Sequence, residues 1–216
     1  MEDRSVLSRE APEPAIEWEH DVYFNGPVVV LIHGGFWRPS YDRVHLRPMA
    51  SALPWPAVSI EYRRIPGDPS SAVVDVRTAV ERIRGPKVVV GHSAGGHLAL
   101  WVAATLGLPA VALAPVADLR LGEELDLDGG AVRDFLGGPA ADRPDLDPVR
   151  MAPAPAAVLI HGERDTIVPI GLSLAYTKAH PAARLVVVPD AGHFELIDPA
   201  SNAWPVVIGE LGRLLA

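Results

Sequence analysis

Residues 88–100 read VVVGHSAGGHLAL and decide how the rest of the chain is interpreted. The β-branched run at 88–90 predicts a buried strand that ends at Gly91. The residues after Ser93 repeat apolar side chains at helical spacing, which predicts a buried helix. Ser93 therefore stands at a sharp corner, where Gly91 and Gly95 let strand and helix approach closely. The helix N-terminus also offers backbone N–H groups to a negatively charged oxygen.

Other strands and helices alternate with this pair along the chain. The continuous apolar run PVVVLIH at 27–33 indicates a strand covered on both faces. Asp68 and Pro69 are typical of an N-cap and a first helical residue. The alternation predicts an α/β fold with a mostly parallel sheet and helices on both faces. The N-terminal residues 1–15 are predicted to be a loose arm, and residues 16–24 an antiparallel first strand that ends at an Asn-Gly turn signal. The other predicted strands are 57–62, 110–115, 157–161 and 185–188. The predicted helices are 69–84, 132–136, 169–179 and 205–215.

The size and charge of the chain narrow its possible partners. A chain of 216 residues is long enough for one domain, which we predict over 1–216. The acidic, turn-rich residues 118–156 are too few to form more than a small lid. A net charge of −8 without a basic cluster argues against nucleic acid and anionic membranes. No apolar run approaches the ~20 residues of a membrane span, and the polar N-terminus lacks a signal-peptide core. We therefore expect a cytoplasmic monomer or homodimer.

Three residues in the order Ser, Asp, His supply the parts of a nucleophilic site. A serine hydroxyl attacks an acyl carbon effectively only when a base takes its proton and a third group orients that base. Ser93, Asp165 and His193 each follow the C-terminal end of a predicted strand, where parallel sheets place their sites. We therefore predict that these three residues form a catalytic triad.

Each member of this set also has a structural alternative. Ser93 could simply cap the following helix, and His193 could be a solvated loop histidine. Asp165 could cap the helix predicted at 169–179. Asp118 follows the preceding strand and competes for the role of the acid. The short strand–loop ending HGERDTIVP favours Asp165 over Asp118.

A glycine-rich motif, HGGFW at 33–37, follows the first long strand. Its glycines allow backbone N–H groups to come close to a reacting carbonyl. We predict that the N–H of Gly35 or Phe36, together with that of Ala94 after the serine, forms an oxyanion hole.

The remaining aromatic and histidine side chains of these motifs receive supporting roles. Trp37, Phe36 and His97 are predicted to border the substrate pocket, and core packing is the alternative for Trp37. The chain has no H-E-x-x-H motif or similar ligand spacing and no cysteine, so we predict no metal and no cofactor. Packing or loop-holding roles are predicted for His33, His92 and His161, and packing is the alternative to a pocket role for His97.

With these motifs, the chain resembles the α/β-hydrolase superfamily over nearly its whole length. The corner at Ser93 resembles the nucleophile elbow, G-x-S-x-G, of that superfamily. The motif at 33–37 is similar to the HGGxW motif of kynurenine formamidases (arylformamidases) and their bacterial esterase relatives. The resemblance implies that Ser93 is the nucleophile, Asp165 the acid and His193 the base, on a sheet with reduced N-terminal strands. Motifs that also resemble this group are EYR at 61–63, GHSAGGH at 91–97, VADL at 116–119 and GHF at 192–194.

The same resemblance implies a serine hydrolase that cleaves small carboxylic esters or N-formyl aryl amides through an acyl-enzyme, with water and no cofactor. A small lid suits short or exposed acyl groups and argues against a deep lipase tunnel. Within the hydrolases, the alternatives are an acetyl- or feruloyl-type esterase and an oligopeptidase-like enzyme. A non-catalytic binding protein with the same fold is the alternative from a different class, and the intact set of triad residues and loop glycines argues against it.

Overall fold

A six-stranded parallel sheet forms the centre of the protein, whose computed structural model describes residues 21–216. Each pair of neighbouring strands in it is parallel, which confirms the predicted fold class. In spatial order the strands are β3 (Ala57–Ile60), β2 (Val28–Ile32), β5 (Lys87–His92), β6 (Pro109–Leu113), β7 (Ala156–Gly162) and β8 (Arg184–Val188). The helices are α1 (Arg47–Ala52), α2 (Pro69–Arg82), α3 (Ala94–Leu106), α4 (Leu119–Glu124), α5 (Ala131–Leu136), α6 (Gly171–Ala179) and α7 (Trp204–Leu215), with 3-10 turns at Arg43–Leu46, Ala140–Asp142 and Phe194–Ile197.

Helices cover both faces of the sheet, and alternate residues of β2 pack into the cores on the two faces. In β2, Val30 and Ile32 pack in the core that α2 and α3 cover. Their neighbours Val29 and Leu31 pack in the core on the other face, under α1 and α7. Because all five residues of β2 are buried, its sequence is a continuous apolar run rather than an alternating one.

The chain reverses its direction across the sheet between β2 and β5. Strand β3 is added on one side of β2, whereas β5 and all later strands are added on the other. At such a switch point the loops that follow the two strands diverge and leave a crevice at the carboxyl edge. The glycine-rich loop after β2 and the corner at Ser93 after β5 therefore meet at this edge.

The described part of the predicted first strand does not join the central sheet. Residues before 21, including the arm predicted at 1–15, lie outside the described residues. Strand β1 (Val22–Tyr23) pairs in parallel with β4 (Ile83–Arg84) in a separate two-stranded sheet. The predicted antiparallel pairing of 16–24 is therefore wrong in its described part. The Asn-Gly signal does not close a hairpin here, since β1 pairs instead with the segment that follows α2.

The acidic segment at 118–156 contains more helix than its sequence pattern indicates. The predicted helix at 132–136 is present as α5, but α4 was not predicted, nor was α1 elsewhere in the chain. Asp118 begins α4, because its side chain accepts a hydrogen bond from the N–H of Leu121 at 2.9 Å. All three helices have six residues, but α5 buries four of them, whereas α1 buries only Met49 and α4 only Leu119 and Gly122. The two missed helices therefore lack an apolar stripe that a sequence pattern could show.

The close packing of α3 against the end of β2 predicts that Gly95 cannot carry a side chain. A Cβ on Gly95 would overlap the backbone oxygens of Ile32 and His33, which cannot move without moving β2. We expect Gly95→Ala to lower the free energy of unfolding by at least about 2 kcal/mol. Gly209→Ala is the matched control, since a Cβ there meets nothing within 4 Å and adds helix propensity.

Urea unfolding of the two variants separates steric overlap from helix propensity. The control is expected to gain about 0.5–1 kcal/mol of stability. An equal free energy of unfolding for the Gly95→Ala and wild-type proteins would show that β2 and α3 tolerate a wider separation.

Candidate active site

Ser93 occupies a strained backbone position between β5 and α3. Its φ of +58° and ψ of −121° lie outside the conformations that serine ordinarily adopts. The surrounding backbone holds it there: the N–H of Ser93 donates to the oxygen of Leu113 at 2.8 Å, and its carbonyl accepts from the N–H groups of His97 and Val116 at 3.2 Å each. Strain that is over-determined in this way is typical of functional sites.

The carboxylate of Asp165, in the turn after β7, receives hydrogen bonds on both oxygens. Oδ1 accepts from the N–H groups of Ile167 at 2.9 Å and Val168 at 2.8 Å. Oδ2 accepts from Nδ1 of His193 at 2.7 Å. Burial by itself raises the pKa of Asp165, but hydrogen bonds with His161 and His193 outweigh it and hold that pKa well below its usual range. Asp165 therefore stays ionised.

This hydrogen bond also determines which nitrogen of His193 can act as a base. A carboxylate oxygen can only accept, so Nδ1 carries the proton of the neutral ring and Nε2 keeps a lone pair. Nε2 of His92 donates to the backbone oxygen of His193 at 3.0 Å, and the two rings lie 4.4 Å apart. Burial, and then the proximity of His193, lower the pKa of His92 well below its usual value.

Ser93 and His193 line one cavity of about 320 Å³ at the carboxyl edge of the sheet. This volume is at the lower end of the ~300–1,000 Å³ that ligand sites usually have. The side chain of Asp165 lies behind His193 and is only 1% exposed. The structure thus brings the three predicted triad residues together. The cavity is lined by Gly35, Phe36, Tyr41, His45, His92, Ser93, Asp128, Thr166, Ile167, His193 and Phe194.

The glycine loop, residues 34–38, lies directly against the Ser93 corner. A Cβ on Gly34 would be 2.9 Å from Cβ of Ser93 and 2.7 Å from the backbone oxygen of His92. Gly35 has a φ of +103°, and the ring of Tyr41 occupies the space that a Cβ would need. Only glycine at these two positions lets the loop N–H groups approach the serine. Ala94 begins α3, and the first N–H groups of a helix have no partner within it.

Residues of the 118–156 segment hold the strained end of this loop. Trp37 has a φ of +56°, and its indole stacks on Phe135 of α5 with ring centroids 4.5 Å apart and planes 12° from parallel. Arg38 donates through Nε to Asp128 at 2.6 Å and through its terminal nitrogen to Asp134 at 3.2 Å. The stack of Trp37 on Phe135 and the hydrogen bonds of the Arg38 guanidinium therefore hold the glycine loop against residues 118–156.

His33 supports the loop from the β3 side, as its sequence position predicts. Its Nε2 donates to Oε1 of Glu61 at 2.8 Å, and its ring stacks on Tyr62 with centroids 4.4 Å apart. The Tyr62 hydroxyl donates to the backbone oxygen of His33 at 3.0 Å. Burial raises the pKa of Glu61, but the hydrogen bond and charge of His33 outweigh it, so that the pKa falls to about 2. These contacts join two motifs that lie far apart in the sequence.

Trp37 and His97 do not lie on the cavity wall, contrary to the sequence-based prediction. They pack against each other with ring centroids 5.3 Å apart, and neither belongs to the cavity lining. His97 is fully buried, and its Nε2 donates to the backbone oxygen of Leu146 at 2.8 Å. The space between the glycine loop, α3 and α5 is a core, and both rings fill it. The core-packing alternative for Trp37 describes its position.

Several cavity residues were not predicted from the sequence. Thr166 and Phe194 directly follow Asp165 and His193 in the chain, so their adjacency was a usable signal. Tyr41 and Asp128 reach the cavity from loops without a recognisable motif. Further histidine contacts fit the predicted supporting roles, since His161 donates from Nε2 to the backbone oxygen of Val168 at 2.8 Å and accepts at Nδ1 from Ser173 at 2.8 Å.

Asp118 is occupied elsewhere, as the cap of α4, and does not line the cavity. Within residues 21–216 no three histidine, aspartate or glutamate side chains are grouped so that they could hold a metal ion. In the same range, no helix has the length and apolar character needed to cross a bilayer. What remains is a serine, a histidine and a carboxylate beside backbone donors, an arrangement suited to nucleophilic attack on an acyl carbon.

This fold and this arrangement are those of the α/β hydrolases. A sequence model of the alpha/beta hydrolase family matches residues 29–153, and the chain belongs to that family. It is similar to esterase LipC of Mycobacterium tuberculosis, with 26% identity over 87% of this chain and 59% of that protein. The chain therefore spans about three fifths of that relative's length.

Solved structures share the fold at lower identity. Esterase B of Lactobacillus rhamnosis superposes with a TM-score of 0.72, at 22% identity over 87% of this chain and 74% of that one. An acetyl ester-xyloside bifunctional hydrolase of Caldicellulosiruptor lactoaceticus superposes with a TM-score of 0.70, at 18% identity over 99% of this chain and 93% of that one.

The burial of His97 predicts a loss of stability in acid. Burial lowers its pKa from 6.5 to about 4, so the unfolded chain binds a proton at this position where the folded chain does not. The contribution of His97 to stability is thus fully present above pH 6.5 and is lost as the pH drops from 6.5 towards 4. We expect His97→Gln, which keeps a donor for the Leu146 oxygen, to remove at most about 3 kcal/mol of that fall.

Urea unfolding of both proteins at pH 7, 5.5 and 4.5 measures this difference. The pH dependence of the wild-type free energy of unfolding also contains the titration of His92, which the variant retains. The effect of His97 is therefore the difference between the pH dependences of the two proteins. Parallel pH profiles would contradict the lowered pKa.

Proposed function

We propose that this protein is a serine hydrolase that cleaves small carboxylic esters. The observation that carries the proposal is the 2.7 Å hydrogen bond from His193 to the ionised, buried Asp165, in a site whose cavity is lined by both His193 and the strained Ser93. A carboxylate that fixes the Nδ1–H tautomer leaves Nε2 to take the serine proton. The description of LipC as an esterase supports the same reaction class.

In the proposed mechanism, His193 accepts the proton of the Ser93 hydroxyl as its oxygen attacks the acyl carbon. The N–H groups of Gly35 or Phe36 and of Ala94 stabilise the oxyanion that forms. His193 then gives its proton to the departing alcohol, which leaves an acyl-enzyme. Water, deprotonated by the same histidine, releases the acid and restores the serine.

The size and lining of the cavity support short acyl groups. Its volume of about 320 Å³ accommodates a small ester, and the lid-like segment 118–156 contributes only Asp128 to its wall. The rings of Phe36, Tyr41 and Phe194, together with the side chain of Ile167, supply the apolar surface.

A second candidate, hydrolysis of N-formyl aryl amides, is supported by the pairing of two motifs. His33 of the HGGFW motif contacts Glu61 and Tyr62 of the EYR motif directly, and both motifs resemble those of kynurenine formamidases. Acetyl esters of sugar conjugates would use the same catalytic groups.

The test compares kcat/KM on p-nitrophenyl acetate with that on N-formylkynurenine. We expect turnover of the acetate, and Ser93→Ala should lower it by at least about 10³-fold without unfolding the protein. A higher value on the formamide would establish the second candidate instead. Turnover of neither substrate, with no labelling of Ser93 by a fluorophosphonate, would contradict the proposal.

The matched pair Asp165→Asn and Asp118→Asn tests the identity of the acid. Replacing Asp165 allows the wrong tautomer of His193 and should lower kcat on the order of 10³–10⁴-fold. Asp118→Asn keeps a side chain that can cap α4, so its rate should stay close to that of the wild type. The opposite ranking would assign the role to Asp118.

The stack of Trp37 on Phe135 predicts that the lid-like segment affects the rate through the glycine loop. Phe135→Leu removes the ring contact but retains apolar volume, so kcat on p-nitrophenyl acetate should fall about tenfold with KM nearly unchanged. Leu136→Ala, at a neighbouring buried position, is the control for stability loss alone. Equal losses of kcat in the two variants would indicate general destabilisation rather than loop positioning.

A further inference from the structure

The wall of the active-site cavity carries an unbalanced negative charge. Among the described residues that line it, Asp128 is the one carboxylate, and there is no lysine or arginine. Two of the lining histidines, His45 and His92, do not supply a compensating charge. Burial, together with the nearby charge of His33, lowers the pKa of His45 to about 4, and the pKa of His92 is lower than usual for the reasons given above. Both are therefore neutral at pH 7.

The ion pair of Asp128 does not neutralise this part of the wall. Arg38 faces two carboxylates, those of Asp128 at 2.6 Å and Asp134 at 3.2 Å. One guanidinium between two carboxylates leaves a net charge of −1. Hydrogen bonding and charge interactions with the same two aspartates raise the pKa of Arg38, so its own charge is constant.

The rest of the cavity and its surroundings favour a cation as well. The aromatic side chains of Phe36, Tyr41 and Phe194 line the same space, and the faces of such rings attract cations. The segment that carries Asp128, residues 118–156, contains nine acidic residues and four arginines. Its field therefore adds to the negative potential at the cavity entrance.

We propose that Asp128 is a specificity-determining residue that makes the site prefer esters with a cationic group over neutral esters of the same shape, and neutral esters over anionic ones. This inference rests on the proposed ester hydrolysis and names the class of substrate that the site takes. Asp128 acts on substrate binding by its charge and takes no part in bond breaking.

The test is a pair of esters that differ in charge alone, acetylcholine and 3,3-dimethylbutyl acetate. The readout is the kcat/KM for acetylcholine divided by that for 3,3-dimethylbutyl acetate. This ratio is then divided by the ratio of the rate constants with which hydroxide hydrolyses the same two esters, which removes their difference in intrinsic reactivity; the result is called the corrected ratio. We expect a corrected ratio of about three to ten for the wild type, as a partly exposed charge pair allows. It should fall towards one at 0.5 M NaCl, since salt screens such pairs.

Asp128→Asn and Asp134→Asn form the matched pair of variants. Both remove one carboxylate from Arg38, but only Asp128 lines the cavity. Asp128 has a φ of +47°, which asparagine tolerates better than most residues, so the first variant suits the backbone. The corrected ratio should fall to about one in Asp128→Asn. It should fall less in Asp134→Asn, because that variant also neutralises the cluster but leaves the carboxylate of Asp128 on the cavity wall.

The contrary outcomes are distinct. An equal fall of the corrected ratio in both variants would assign the preference to the general field of residues 118–156 and overturn the role of Asp128. An unchanged ratio in both variants would overturn that role as well. Wild-type turnover of p-nitrophenyl acetate with a corrected ratio of one or less would overturn the charge preference and leave the proposed function standing. Turnover of no ester would overturn both.

Discussion

The close crossing of β2, β5 and α3 is the constraint on which the rest of the site depends. Gly91 and Gly95 remove the two side chains that would separate the strand from the helix, and a Cβ at either position would overlap neighbouring backbone. This contact bends the chain sharply enough to put Ser93 in a conformation that an ordinary strand–helix connection would relax. The strands on either side of β5 are almost wholly buried, since every residue of β2 and all but Pro109 of β6 lie in the core. Their close packing holds the strained corner in place.

The charged groups of the site differ in how far they are exposed to water. The carboxylate of Asp165 is almost fully buried, and two backbone N–H groups together with His161 and His193 stabilise its charge. Burial also lowers the pKa of the neighbouring His92, which stays uncharged. The ion pair of Arg38 lies outermost, where water screens it. A buried charge requires this complete set of hydrogen bonds to be stable at all.

The sequence was sufficient for the parts that depend on local pattern. Apolar runs and Gly/Pro boundaries located the six central strands, and the spacing after Ser93 located α3. The short helix α4 escaped detection because only Leu119 and Gly122 of its six residues are buried, whereas the equally short α5 buries four and was predicted. Trp37 was placed on the wrong surface because a motif records that an aromatic ring is needed and does not record which way it points. Asp128 could not be found because its position follows from the path of a turn-rich segment rather than from its neighbours in sequence.

The stack of Trp37 on Phe135 has a consequence for how such enzymes can diversify. The segment at 118–156 shapes the cavity wall and also braces the loop next to the nucleophile. Exchanging this segment alone, by recombination or in protein engineering, would bring in new cavity residues and would also take away the ring that supports the loop. New substrate ranges on this scaffold therefore require the segment and the loop to be inherited together, as one module.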